Sequence, residues 1–416
     1  MSVAVSRCLL ALLVVVIAAP TQAIAQTTYP IGEHRLALIT PGGDLPFGLS
    51  LEEEEGGGLR ALVINGEERI QVAAARQDQV LVLSFPHYDS EVRLQVDIER
   101  AAMRGEWIKR RGQGKVTRLR VESRTQGPRF AITPATTRRC EWPNGRYRVK
   151  FAESTDPAVG VFTVNEDPRS NCAGTFLTTL GDYRYLAGNS DGETFKLSCF
   201  DGAHAFLFHG RLRADASIEG DFWSSDSWHE RWTGAPDKDA ALADGWGLTK
   251  WRADADLSLG KYRDLNGQRH AITDPPFAGK VRVLEVFGSW CPNCHDHGEY
   301  MAELSRRYRG KNLQVIGLAF EHDDNFARCA RQVEAFAKRH NAEFPILIAG
   351  LSNKSRASES LRLVDRIRSF PTTIFIDKHD QVRGIYQGWS GPATGDAHKR
   401  LRQRFESLID SLLGED

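Results

Sequence analysis

From about residue 32 to residue 235 apolar and polar positions alternate over short stretches, separated by Gly, Asp and Asn. Leu59-Arg-Ala-Leu-Val-Ile64, Gln79-Val-Leu-Val-Leu-Ser-Phe85, Arg146-Tyr-Arg-Val-Lys-Phe151 and Thr194-Phe-Lys-Leu-Ser-Cys199 are examples. A period of two bounded by turn residues predicts antiparallel strands. After a linker near residues 245–257 the pattern changes. Residues 281–287 read as a buried strand, 295–309 as a helix, 313–320 as a strand, 326–340 as a helix and 344–348 as a short strand. Residues 373–377 and 382–389 then read as a hairpin, and 397–413 as a closing helix. Strand, helix, strand, helix, hairpin and helix predict a mixed α/β sandwich.

The β-rich part repeats itself. Pro46-Phe-Gly-Leu49 matches Ala158-Val-Gly-Val161, Leu83-Ser84 matches Leu197-Ser198, and Arg104-Gly-Glu-Trp107 matches Glu219-Gly-Asp-Phe222, at a nearly constant offset. Such an offset predicts a duplicated unit: two antiparallel barrels or sandwiches, or one sandwich built from both copies. The fold class expected is therefore α+β multidomain, a duplicated antiparallel β barrel or sandwich region followed by a thioredoxin-like α/β sandwich domain. The expected divisions are 1–25 (signal peptide), 27–135, 136–245 and 255–416. The second copy adjoins the C-terminal domain in sequence and is expected to contact it. Its polar and aromatic set, Asp201, His204, Phe222, Trp223, Trp228, His229, Glu230 and Trp232, reads either as a ligand groove or as a hairpin turn with barrel-filling tryptophans.

The N-terminal pattern is that of a signal peptide. Arg7 precedes an apolar run to Ala19, Pro20 breaks it, and Ala23-Ile24-Ala25 offers a cleavage site before Gln26. Periplasmic export is expected, with an uncleaved membrane anchor as the alternative. Lysine plus arginine and aspartate plus glutamate number 54 each. This balance argues against nucleic acid as a partner. The charge runs at residues 52–55 and 109–111 read as solvated. Export leaves Cys140, Cys172 and Cys199 in the middle and Cys291, Cys294 and Cys329 towards the end. Cysteines outside the cytoplasm tend to be paired or reactive. Cys172 and Cys199 are both expected to point inward, where a bridge between them is one option and Cys140 could replace either. Cys329 shares an apolar helix face with Phe326, Val333 and Phe336 and reads as a buried, inert thiol.

The chemistry lies in Trp290-Cys291-Pro292-Asn293-Cys294, directly after the buried strand. Cys-x-x-Cys at a helix start places Cys291 at the cap, where free amides and the helix dipole favour a thiolate. Pro292 at the first helical position loses nothing by lacking an N–H. Cys291 is expected to attack a disulfide and Cys294 to resolve the mixed disulfide. A zinc site is disfavoured because no second Cys-x-x-Cys or spaced His pair exists. No cofactor is implied. Glu285, six residues before Cys291, alternates with Val283 and Phe287 and is expected to be buried, where desolvation raises a carboxyl pKa and suits it to take the Cys294 proton. Pro371, in Ser-Phe-Pro-Thr-Thr before the hairpin, is the candidate cis-proline. Trp290, Pro292, Phe370 and Thr372 flank the dithiol and the proline and are the candidate substrate contacts.

Residues 255–416 resemble the TlpA/ResA-like branch of thioredoxin-fold disulfide reductases. The marks are Gly279-Lys280, Phe287-Gly-Ser-Trp-Cys-Pro-Asn-Cys294, Phe370-Pro-Thr-Thr-Ile-Phe-Ile-Asp377 and Gly388-Trp-Ser-Gly-Pro-Ala-Thr-Gly395. The resemblance implies Cys291 as nucleophile, Cys294 as resolving thiol, Pro371 as cis-proline and Glu285 in the place of the buried acid. It also implies disulfide substrates, protein or small molecule, and a membrane thiol electron donor. The family often carries a glutamate three residues after the second cysteine, where this chain has His297. His295 and His297 read equally as exposed helix histidines and as contributors to a cationic surface.

These features predict an extracytoplasmic thiol–disulfide oxidoreductase acting as a reductase in cell redox homeostasis. The alternatives are a thiol peroxidase, against which Gly288 stands where those enzymes place a threonine, and a β-domain binding or scaffold protein with minor redox activity.

Overall fold

A computed structural model describes residues 30–112, 114–132, 144–164 and 167–415. The signal-peptide region and Cys140 lie outside the described residues.

The first unit contains β1 (Gly32–Thr40), β2 (Gly43–Glu53), β3 (Leu59–Asn65), β4 (Glu68–Gln77), β5 (Val80–Phe85), β6 (Ser90–Asp97), β7 (Ala102–Arg110) and β8 (Val116–Arg124). They form a closed barrel in sequence order, with β1 pairing back onto β8. The second unit contains β9 (Gly145–Phe151), β10 (Ala158–Val164), β11 (Cys172–Thr178), β12 (Gly181–Asp182), β13 (Leu186–Ser190), β14 (Thr194–Phe200), β15 (Ala205–Leu212), β16 (Ile218–Ser224) and β17 (Trp228–Pro236). Pairing of β10 with β11 and of β17 with β9 closes this sheet too, leaving the two-residue β12 as a branch. Closure removes the exposed edges that open sheets must protect.

The matched landmarks fall on corresponding strands, Gly48 and Gly160 on β2 and β10, Ser84 and Ser198 on β5 and β14, Gly105 and Gly220 on β7 and β16. The last pair shares a physical cause. A Cβ on Gly105 would collide with the Arg93 carbonyl, and one on Gly220 with the His209 carbonyl. Each barrel is filled by side chains, the second mainly by Phe151, Phe162, Phe176, Phe208 and Trp232. Of the tryptophans expected to fill it, Trp228 is exposed, while Trp223 covers the β1–β2 turn of the first barrel at Gly42.

The barrels are joined by buried contacts. Phe200 of β14 enters the first core, its ring 4.7 Å from Phe47 and 5.4 Å from Trp107. Arg129 donates to Ser198 Oγ at 2.9 Å and to Asn65 Oδ1 at 3.2 Å, spanning both barrels.

The third unit contains β18 (Lys261–Arg263), β19 (Arg269–Ala271), β20 (Val281–Phe287), α1 (Pro292–Arg307), β21 (Leu313–Glu321), α2 (Phe326–His340), β22 (Ile346–Leu351), α3 (Lys354–Leu361), β23 (Thr372–Ile376), β24 (Val382–Gln387) and α4 (Asp396–Gly414). All seven residues of β20 are buried because it lies mid-sheet, parallel to β21 and antiparallel to β23. The expected linker is packed rather than free, with Trp246 bridging to Tyr386 and Trp251 to Val364.

The Cys172–Cys199 bridge is not formed: both thiols are free and buried. Cys172 pairs with Gly188, which pairs on its other side with Leu197. Strand β13 thus separates the two cysteines by roughly two strand spacings of about 4.8 Å each, beyond the roughly 7 Å Cα reach of a disulfide.

If Gly220 is required by this close approach, Gly220→Ala lowers stability by about 2 kcal/mol or more in denaturant unfolding, whereas an exposed substitution in the same strand changes it little.

Candidate active site

Strand β20 aims the chain at the reactive turn. Glu321, at the end of β21, fixes that turn by accepting from Ser289 N at 2.9 Å and Ser289 Oγ at 2.7 Å. Trp290 Nε1 donates to Phe320 O at 2.8 Å, and its ring stacks on His322 with centroids 4.3 Å apart. Cys291 follows in extended conformation as the N-cap of α1, and its Sγ accepts from Cys294 N at 3.4 Å. Pro292 occupies the first turn, where its missing donor leaves nothing unpaired. Cys294 is fully buried, and burial followed by the adjacent Cys291 pushes its thiol well above the ordinary value.

The turn before β23 completes the site. The Phe370–Pro371 bond is cis, and the Cys291 thiol donates to Phe370 O at 3.5 Å. The Phe370 ring lies 5.7 Å from Trp290, and Thr372 Oγ1 donates to Ser369 O at 3.0 Å. Cys291, Cys294, Trp290, Pro292, Phe370, Pro371 and Thr372 therefore come together in one place.

Glu285 sits behind them, fully buried. Its Oε1 is 3.0 Å from His297 Nδ1, and His297 Nε2 is 3.1 Å from Thr373 Oγ1. The ring can donate to the carboxylate while accepting from the hydroxyl. Glu285 Oε2 has no hydrogen-bond partner among the described residues, and the carboxylate's charge reaches Cys294.

The expectation of exposed histidines is corrected, since His295 and His297 are both buried. His295 Nε2 donates to Ser289 O at 2.8 Å, so its Nδ1 accepts from His340 Nε2 at 2.7 Å. Burial, with His87 and His340 adding to it, holds His295 well below the ordinary imidazole value.

Cys291 itself is only 6% exposed, and both barrels pack against the residues around the dithiol. From the first barrel, His87 and Tyr88 place their rings 4.8 and 4.6 Å from His295. Asp89 pairs with Arg328 of α2 at 2.6 Å, and Gly112 presses against the His322 carbonyl. From the second, the chain at Gly181 lies against Asn293, and Asp182 Oδ2 accepts from Gly391 N at 2.7 Å. The expectation of contact from the second copy was thus too narrow.

Arg184 connects all three units. Its guanidinium lies 2.5 Å from Glu68 of β4, 2.6 Å from Asp296 of α1 and 3.5 Å from Asp201 after β14. Burial opposes the charge, yet these carboxylates hold its pKa well above the ordinary value. Burial and the nearby Asp296 push Asp182 up to about 6. The charge run at residues 109–111 also needs correction, because Lys109 is half-buried and donates to Ala203 O at 2.8 Å. Tyr88, Lys109, Asp182, Arg184 and Asp296 were missed as site residues. The one sequence hint was Asp182 and Arg184 interleaved with Tyr183 and Tyr185.

Residues 256–399 match the Redoxin family model. The thiol-disulfide oxidoreductase ResA of Geobacillus thermodenitrificans (strain NG80-2) is 31% identical over 125 residues, 30% of this chain and 63% of that protein. The thioredoxin-like protein YneN of Bacillus subtilis (strain 168) is 26% identical over 142 residues, 34% of this chain and 74% of that one. The crystal structure of a putative thiol:disulfide interchange protein DsbE from Chlorobium tepidum superposes with a TM-score of 0.29 at 19% identity, covering 42% of this chain and 100% of that chain. The C-terminal domain is a TlpA/ResA-like thioredoxin-fold domain.

Two outcomes test the interface. Asp182 is raised from 3.8 to about 6, so the folded protein holds the extra proton between these values and stability falls as pH rises through the window. The melting temperature of Asp182→Asn, relative to the parent, therefore climbs from about pH 4 to about pH 6 and then levels. Arg184→Leu leaves the surrounding carboxylates uncompensated and loosens the cover. In alkaline buffer, alkylation of reduced Cys291 then accelerates about tenfold, the equivalent of ~1.4 kcal/mol in the opening equilibrium.

Proposed function

We propose that this chain is an exported thiol–disulfide oxidoreductase whose dithiol is Cys291 and Cys294. The observation that carries the reading is Cys291 Sγ at the N-terminus of α1, accepting the Cys294 amide at 3.4 Å with Cys294 buried behind it. A thiolate at that position gains from the helix amides and dipole. It attacks a substrate disulfide, and the substrate's leaving sulfur departs as a thiolate. Cys294 then loses its proton and attacks Cys291 Sγ, releasing the second substrate thiol and leaving a Cys291–Cys294 disulfide. Glu285, hydrogen-bonded to His297, takes the Cys294 proton.

Trp290, Pro292, Phe370 and Thr372 contact the substrate, and Pro371 presents the backbone beside the dithiol. Substrates are protein or small-molecule disulfides, and a membrane thiol donor re-reduces the enzyme, which works as a periplasmic reductase. Among the described residues no helix is long and apolar enough to cross a membrane. The two barrels are copies of one β unit, supported by the matched landmarks at equivalent strands.

Cys291→Ser abolishes insulin-disulfide reduction, whereas Cys294→Ser accumulates a mixed disulfide that the parent does not. A reduction potential of the pair near −270 mV, about that of thioredoxin, supports the reductase direction, while one near −120 mV, about that of strong oxidants, reverses it. Rapid peroxide turnover without insulin reduction overturns the assignment in favour of a peroxidase.

A further inference from the structure

Each polar atom of Ser289, two residues before Cys291, is held by a side chain. Its N and Oγ donate to Glu321, and its O accepts from His295 Nε2 at 2.8 Å. Ser289 is buried, and among the described residues this imidazole is the only donor to its carbonyl. The bond runs from α1 back to the turn before it, and so closes the loop that carries Trp290 and Cys291.

His295 can make this bond in one form only. A carbonyl accepts and cannot donate, so Nε2 carries the hydrogen and the neutral ring has a bare Nδ1. His340, at the end of α2, supplies the matching donor, its Nε2 lying 2.7 Å from that Nδ1. His340 thereby excludes the other tautomer, in which Ser289 O would lose its partner.

The imidazole pair is shielded from both sides. Phe336 packs against both rings at 4.7 and 4.8 Å, and His87 and Tyr88 of the first barrel close over His295 at 4.8 and 4.6 Å. Arg339, next to His340 in the chain, donates to Gln71 O of β4 at 2.8 Å and sets a fixed cation beside the pair. Tyr88 in turn faces Asp201, Arg184 and Asp296, and Asp201 acts on His87. Among the described residues neither ring of the pair is hydrogen-bonded to a carboxylate. Burial, then Arg339 and His87, bring His340 down to about 3.

We propose that His295 is a positioning residue for dithiol exchange, fixing the Trp290–Cys291 turn through Ser289 O in the one tautomer that His340 permits. The inference rests on the reading of Cys291 as the nucleophile. Both rings stay neutral during turnover, and no proton passes between them. A second proton on His295 would set N–H against N–H and break the bridge, and one on His340 would sit beside Arg339. Both rings take protons less readily in the closed site than in water, so acid favours the loosened turn. The pair's contribution is complete above about pH 6.5 and is lost progressively as pH falls from there towards 3. The first barrel supports the reactive turn by keeping water from this hydrogen bond.

The test uses the full-length chain. His295→Phe keeps a ring against Phe336 and Tyr88 and removes the donor, whereas His295→Gln places an amide N–H where Nε2 was and cannot titrate. In insulin-disulfide reduction at about pH 7, His295→Phe loses about tenfold in kcat with KM unchanged, one hydrogen bond being worth up to that much. His295→Gln recovers most of the loss. Dividing the parent's rate by that of His295→Gln/His340→Gln cancels the ionisation of Cys291, which both share. This ratio is constant above about pH 6.5 and falls below it. A purely structural role lowers the melting temperature of His295→Phe and leaves kcat and the ratio unmoved, and that result overturns the proposal. If the parent reduces no disulfide, the functional reading fails, while NMR of labelled histidines still decides the bridge. At about pH 5.5, where a free imidazole is mostly protonated, a neutral Nε2–H ring at His295 supports it, and a protonated or Nδ1–H ring overturns it.

Discussion

A single buried guanidinium determines how the molecule is assembled. Arg184 meets Glu68 of the first barrel, Asp201 of the second and Asp296 of the helix that starts at the dithiol. Taking any one of these charges from water costs several kcal/mol on its own, and a lone pair regains little more than it loses. The arrangement is most favourable as a set, with carboxylates from all three units around one guanidinium. Arg184 also adopts a left-handed backbone conformation, with φ 61°, which a long side chain rarely takes without tertiary support. The surrounding contacts at Asp182 and Gly391, Gly181 and Asn293, and Tyr88 and His295 are arranged around that anchor.

The anchor decides the environment of the reactive sulfur. Asp296 is two residues beyond Cys294, so positioning its carboxylate also positions the first turn of α1 against both barrels. Helix amides, the Phe370 carbonyl and the buried Glu285–His297 pair come from the C-terminal domain itself. The aromatic cover at His295 comes from outside it. On the proposed function, dithiol chemistry is thus encoded in one domain, and the packing around it is completed by the other two.

The division between what was legible in sequence and what was not follows the same line. Strand β20, the Cys-Pro-Asn-Cys turn and α1 are contiguous, so their hydrophobic period and cap residues lie side by side in the chain. The matched landmarks of the two barrels were legible because equivalent strands approach a neighbour's carbonyl where only glycine fits, as at Gly105 and Gly220. The site's outer groups were not. Glu68, Arg184 and Asp296 are ordinary charges in a chain of zero net charge, and only tertiary contact distinguishes them from solvated ones. His297 looked exposed because its partners, Glu285 and Thr373, lie on neighbouring strands beneath the helix. Short α3 and the edge strands β18 and β19 escaped notice for lack of a sustained period.

Covering a nucleophile with the chain's own surface has an energetic consequence. On the proposed function, Trp290, Phe370 and the start of α1 form the surface a bulky disulfide substrate would need, and Tyr88 and the turn at Gly181 already adjoin α1 at His295 and Asn293. Such a substrate binds with an affinity reduced by the fraction of molecules in which that surface is free. On the proposed function, the same interface would discriminate between substrates by size before any side chain of the site reads their chemistry.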